Sequence, residues 1–321
     1  YRKIGELKGH VIICGLSKKA EILIQDIINN SESVKFLNLN LTKANIVVVE
    51  TNAEHEKINN YIYKGVKVVI GSAADKEVLI KAGVLNAKYM IVLTDSDETN
   101  LSIAKSLTDI FTELYNKSDF NFDNTKDQLK AIIHLRDFYH LQAFKDYHMV
   151  RIPENGNPNT AIDFYSVNIF QKAAIKVIDK YAPDKIIHSN LSVAKEAAEI
   201  IIIGLSDAGQ NLLLQAAYMY HFKNLKKLKV TVIDNNIKDK LNKLIQFVPK
   251  LDNIIEIKQI KQVDFLENYL TISSEFKNVS VCYIAKDSDG ENVFLAKKSK
   301  QIFYMTNHDY HYPKIVVLQP K

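Results

Sequence analysis

The chain contains two versions of one unit, and that repeat constrains the architecture more than any other feature. The run Glu199-Ile200-Ile201-Ile202-Ile203-Gly204-Leu205-Ser206-Asp207-Ala208-Gly209 parallels His10-Val11-Ile12-Ile13-Cys14-Gly15-Leu16-Ser17-Lys18-Lys19-Ala20. Further on, Asp287-Ser288-Asp289-Gly290-Glu291-Asn292 parallels Asp95-Ser96-Asp97-Glu98-Thr99-Asn100. Both pairs stand roughly 190 residues apart, the length of an α/β domain rather than of a solenoid unit. With 321 residues, 47% of them hydrophobic, the chain can bury two cores.

Within each unit, short apolar runs alternate with helical periodicity, the pattern of a parallel, doubly wound sheet. The first unit predicts strands at 11–14, 46–49, 67–70, 89–93, 131–135 and 148–152. Helices are expected at 20–28, 54–64, 75–82, 100–115 and 139–147. The polar stretches 30–43 and 116–127 read as a surface insertion and a loop. Pro153 and Pro158 bracket a break, after which 160–181 reads as one amphipathic helix. Such a helix suits a crossover arm between domains or subunits, or packing on its own domain. The second unit predicts strands at 200–203, 229–233, 254–257, 279–284 and 315–318, with helices at 209–222 and 292–307. The expected fold is therefore two tandem Rossmann-like, doubly wound parallel sheets joined by a helical crossover segment. The expected domains are 1–152, a linker at 153–198, and 199–321.

Composition narrows the function. The net charge of +5 comes with interspersed lysines and acids rather than a basic run, which argues against a nucleic-acid partner. No stretch of 18 apolar residues spans a membrane. The N-terminus has no signal-peptide pattern, and the start at Tyr1 reads as a fragment start. Cys14 and Cys282 sit in apolar strand runs and read as buried, reduced thiols. No nucleophile–base constellation stands out, so no catalytic residue is assigned.

The chemistry gathers at the strand ends. A strand, a glycine turn and a helix place free backbone N–H groups at a helix N-terminus, where a phosphate is attracted. The first unit supplies Gly15, Leu16, Ser17, Lys18, Lys19 and Ala20, then Glu50, Thr51 and Asn52 at the end of the second strand, where an acid meets ribose hydroxyls. The second unit supplies Gly204, Ser206, Gly209 and Asp234. Neither turn is a full G-x-G-x-x-G, and serine holds the middle position in both. That hydroxyl is a candidate donor to phosphate, or the turn is only a tight connection. Thr94, Asp95 and Arg136 follow the fourth and fifth strands at the same edge. Asp95, Asp97, Asp287 and Asp289 are candidate cation ligands, with helix capping as the competing role. His308, Asp309 and His311 read as a solvated loop.

These residues carry a resemblance. Lys8-Gly9-His10-Val11-Ile12-Ile13-Cys14-Gly15, then the stretch from Gly65 to Asp75, Val78-Leu79, Ala82-Gly83, the stretch from Ala87 to Asp95, and Asn100-Leu101 occur in the order seen in regulator of K⁺ conductance (RCK) domains, also called Trk-type nucleotide-binding domains. The chain resembles that family over about 9–152, and more thinly in the second unit. The resemblance implies a ligand-sensing module at the cytoplasmic face of the cell membrane that gates a K⁺ channel. Its pore would precede Tyr1 in the same polypeptide. Four subunits would contribute eight such domains to a ring, with a dimer as the form in isolation. It implies that NAD(H), ADP or ATP, or Ca²⁺ is the ligand. By position Gly15, Ser17 and Lys18 would meet phosphate, Glu50 the ribose, and Ser72 with Ala73 the base. A stand-alone regulatory subunit of a K⁺ transporter is the alternative. A nicotinamide-dependent oxidoreductase is a third, for which 153–198 is too short to form a substrate domain.

Overall fold

The computed structural model describes residues 4, 7–29, 45–115, 129–149, 162–183, 197–220, 226–271, 276, 278–306 and 312–318. Two compact units divide between Asn168 and Ile169. The expected 30–43 insertion, the 116–127 loop and the His308–Asp309–His311 loop lie outside the described residues.

The first unit is a six-stranded, all-parallel sheet in the order β3-β2-β1-β4-β5-β6. Its strands are β1 (His10–Cys14), β2 (Ile46–Glu50), β3 (Lys67–Ile70), β4 (Ala87–Val92), β5 (Leu129–His134) and β6 (Ile162–Val167). Strands β1 and β2 are buried along their whole length. A parallel sheet covered on both faces needs that continuous apolar run. The helices are α1 (Lys18–Asn29), α2 (Ile58–Tyr63), α3 (Lys76–Lys81), α4 (Asp97–Tyr115) and α5 (Phe138–Met149). Helix α1 buries Ala20, Ile24 and Ile28, four residues apart on one face, and leaves Ile22 exposed.

The second unit repeats the plan with five parallel strands in the order β11-β10-β7-β8-β9, which is the first unit's order without its sixth strand. They are β7 (Glu199–Ile203), β8 (Leu228–Asp234), β9 (Ile255–Lys261), β10 (Val279–Ile284) and β11 (Lys314–Val317). Its helices are α6 (Ile169–Lys180), α7 (Asp207–Met219), α8 (Ile237–Phe247), α9 (Leu251–Ile254), α10 (Gln262–Glu267) and α11 (Asp289–Thr306). In its core Phe276 packs edge-to-face against Phe265 and Phe303, whose own rings are tilted to each other.

Two expectations shift. The sixth strand does not start at His148 as expected, because α5 continues through Met149, and 150–152 lie outside the described residues. It is β6, which pairs along its whole length with β5 at the edge of the sheet. The helix expected over 160–181 begins only at Ile169. Ile162 and Phe164 follow a period of two, and Phe164 packs edge-on against Phe144. Ala174 and Ile178 follow a period of four. A strand and a helix with one residue between them had merged into a single apolar pattern. The segment expected to link the domains thus divides between them. Helix α6 packs along α7 within the second unit, so that α7 is buried on nearly every side. The Tyr220 hydroxyl donates to Ile178 O at 3.0 Å, and the Tyr283 hydroxyl to Tyr181 O at 2.8 Å.

Among the described residues, no helix is long and apolar enough to cross a membrane. Ile12 is fully buried in the central strand, whereas Ile22 is 43% exposed. Ile12→Ala is expected to lower stability by about 3–4 kcal/mol and Ile22→Ala by under about 0.5 kcal/mol, read from urea midpoints of the first domain's transition.

Candidate functional site

Parallel strands bring all the candidate residues of one unit to a single edge, beyond the carboxyl ends of the strands. In the first unit β1 is followed by Gly15, whose φ of +86° suits glycine. A Cβ there would stand 3.1 Å from the Thr94 methyl group. The Gly15 N–H donates to Val49 O at 2.9 Å, and the Leu16 N–H to Glu50 Oε2 at 2.8 Å. The other Glu50 oxygen accepts from Asn52 N at 2.9 Å and from the Thr51 hydroxyl at 3.1 Å. The acid expected to meet a ribose thus also holds the glycine turn. Glu50 is itself buried.

Ser17 caps α1 by accepting from Ala20 N at 3.4 Å, and it donates its hydroxyl proton to Leu93 O at 2.5 Å. Its one proton is committed inside the protein, so a phosphate at this turn would meet backbone N–H groups and the exposed Lys18 rather than that hydroxyl. Lys19 lies 3.9 Å from Asp95, which is itself mostly exposed. Ser72 accepts from Ala74 N at 3.2 Å, and Ala73 is buried. These two flank β3, at the opposite side of the cleft from Arg136. The Arg136 guanidinium donates to Asp95 O at 3.1 Å.

Asp95 and Asp97 take separate roles. Asp97 is buried and accepts from Arg136 N and Asp137 N at 2.8–3.0 Å, with His140 Nδ1 at 3.2 Å, so it caps the start of α5. Ser96 and Ser288 cap α4 and α11, accepting from Thr99 N and Glu291 N. Among the described residues, no group of three His, Cys, Asp or Glu could hold a metal ion.

Two residues outside the sequence-based candidates organise the edge. Asn100 accepts from Thr94 N at 3.2 Å and from the Thr94 hydroxyl at 2.6 Å, and it donates across to His134 O at 2.9 Å. Asn292 accepts from Lys286 N at 2.8 Å and donates to Leu318 O at 3.0 Å. The signal was present, since both repeats end their Asp-Ser-Asp segment in this asparagine. At the far side, His134 Nδ1 lies 3.1 Å from Val167 O, and burial holds its pKa below the usual histidine value. Both thiols are fully buried; burial pushes Cys14 up to about 12 and raises Cys282 too, which leaves them protonated at neutral pH.

The second turn has the same frame. Gly204 has a φ of +95°. Leu205 N donates to Asp234 Oδ2 at 2.9 Å, and Ser206 caps α7 through Gly209 N at 3.3 Å while donating to Ala285 O at 2.7 Å. Gly209 is required for packing, because a Cβ there would collide with Gly204 O. Asp234 also meets Lys286 and Lys240, each at 3.2 Å. Burial pushes its pKa up, but the Asn236 and Leu205 amides and the two ammonium groups outweigh burial and hold it at about 2.

With this geometry in place, comparison with known proteins assigns the first unit. Residues 11–133 match the TrkA-N domain family. That match lies wholly within the first unit. An uncharacterized protein of Methanothermus fervidus is 29% identical over 102 residues, covering 32% of this chain and 14% of that protein. The GsuK RCK domain has a TM-score of 0.52 at 14% identity, covering 97% of this chain and 74% of that one. The GsuK channel bound to NAD gives 0.53 at 13%, covering 97% and 62%. GsuK bound to ADP gives 0.50 at 15%, covering 98% and 66%. This chain thus spans about one seventh of the archaeal relative and less than two thirds of both ligand-bound GsuK chains. Its two tandem parallel α/β sheets have the fold of the RCK structures.

Two predictions follow from the shared frame. Asn100→Ala leaves Thr94 N and His134 O without their partner and is expected to cost about 2 kcal/mol, read from a lowered denaturant midpoint. Asp234 has a folded pKa below its unfolded value. Its contribution to stability, about 2 kcal/mol, is therefore present above about pH 5 and lost as pH falls toward 2. Asp234→Asn is expected to flatten the dependence of stability on pH across that window.

Proposed function

We propose that the first cleft binds an adenine nucleotide, NAD(H) or ADP/ATP, and that the chain is a regulatory, non-catalytic module of a K⁺ channel at the cytoplasmic face of the membrane. The observation that carries this reading is the glycine turn of the TrkA-N domain. Backbone N–H groups at the start of α1, Lys18 beside them and the Glu50 carboxylate one strand away meet the needs of a phosphate and a ribose. Adenosine reaching toward Ser72 and Ala73 would lie over β2 and β3. A dinucleotide would continue past Thr94 toward Arg136. GsuK, which shares the fold, has been solved with ADP and with NAD. Coupling to a pore preceding Tyr1, and assembly of four chains into a ring, belong to the same proposal. Gating then requires that the ligand bind one state of the assembly more tightly than the other.

Thermal unfolding of this chain with NAD⁺, NADH, ADP, ATP, AMP and Ca²⁺ tests the ligand. At 100 times the Kd, a native-state ligand adds about 2.7 kcal/mol and raises Tm. The expected result is a shift with an adenine nucleotide that Gly15→Asp abolishes, because a side chain at a φ of +86° and against Thr94 displaces the turn that would hold the phosphate. No shift with any nucleotide would refute the assignment. Current recordings from the intact protein, with and without the nucleotide that binds, test the gating role.

A further inference from the structure

The two clefts share one hydrogen-bond frame, and among the positions at which they differ one lies over the turn. Thr94 and Lys286 each follow the fourth strand of their unit, and each has its N–H held by the asparagine six residues on. In the first unit the Thr94 side chain turns back to Asn100, and the donors that meet Glu50 are all neutral: Leu16 N, Asn52 N and the Thr51 hydroxyl. In the second unit the longer side chain crosses the cleft. Lys286 Nζ reaches Asp234 Oδ2 at 3.2 Å, and Lys240 Nζ meets both carboxylate oxygens at 3.2 and 3.3 Å.

The lysine also covers the turn. A Cβ placed on Gly204 would stand 2.9 Å from Lys286 Cδ, so the methylenes of Lys286 lie over the bare backbone. Lys286 is 12% exposed and Asp234 2%. Glu291, at 3.8 Å, adds a second carboxylate to the ammonium group. A nucleotide at such a turn needs an uncovered glycine for its phosphates and an acid for its ribose. Lys286 covers the first and pairs with the second. A neutral hydroxyl cannot displace two ammonium groups from a buried carboxylate without leaving buried charge unpaired.

We infer that Lys286 is a tethered cation standing in the ligand's place in the second cleft, so that this cleft excludes nucleotides and holds its acid and turn together without one. The inference rests on the second unit's own geometry and goes beyond the role proposed for the first.

Lysine acylation with an N-hydroxysuccinimide acetate, followed residue by residue by mass spectrometry on the whole chain, tests it. Lys286 is expected to react about ten-fold more slowly than the exposed Lys297 and Lys298, because its amine must leave Asp234 to react. Asp234→Asn is expected to raise the Lys286 rate several-fold while Lys297 is unchanged. Saturating ADP or NAD⁺ is expected to leave the Lys286 rate of the unsubstituted chain as it was. A Lys286 rate equal to that of Lys297, or one that changes with nucleotide, would overturn the inference. Failure of the first-cleft reading is seen separately, as nucleotides that do not protect Lys18 and Lys19, and it leaves the Lys286 result intact.

Discussion

A carboxylate at the end of the second strand accepts the backbone N–H that follows the glycine of the first strand. Glu50 does this for Leu16, and Asp234 for Leu205. The amide belongs to the buried residue just before the capping serine, outside the helix's own hydrogen bonds, so leaving it unmet is costly. Satisfying it from the neighbouring strand ties the β1–α1 turn to β2 and fixes the direction in which α1 leaves the sheet. The serine two residues after the glycine ties the same turn to the fourth strand on the other side. Both domains keep these two ties although the surrounding side chains differ, and the cleft exists because the turn is clamped between them.

That frame separates the geometry of a strand–turn–helix cleft from what the cleft can hold. The backbone path, the positive φ of the glycine and the capping serine are common to both domains. What differs is the chemistry laid over the frame: a short threonine in one domain and a long lysine in the other. A family pattern that reads glycines and apolar strands is blind to that difference. Two clefts with the same turn are therefore not two equivalent sites.

Much of this was legible in the sequence. Parallel strands buried on both faces appear as unbroken apolar runs, and the expected strands at 67–70 and 279–284 coincide with β3 and β10. The internal repeat announced two sheets of one order. The edge of the first sheet was less legible. β6 pairs on one side only, and its half-exposed pattern ran straight into the period of α6. The strand-end residues could be placed at the cleft by topology, but their partners could not. Ser17 looks like a phosphate donor until Leu93 O is seen to take its proton. Lys240 and Lys286 lie 6 and 52 residues from Asp234, and nothing in the spacing announces that all three meet.

The ties at the carboxyl edge of the first domain form an unbroken series. Gly71 N bonds Glu50 O, Glu50 bonds Leu16 N, Ser17 bonds Leu93 O, Asn100 joins Thr94 to His134 O, and Asn168 Nδ2 bonds Arg136 O. Each link carries side-chain or main-chain bonds from one strand to the next, so all six strand ends are stitched along one rim. A sheet whose strand ends are independent can let one loop give way while the others stay in place. A stitched rim behaves as a hoop: a load applied at the glycine turn is shared by every strand end as far as Asn168, the residue at which the chain leaves the domain.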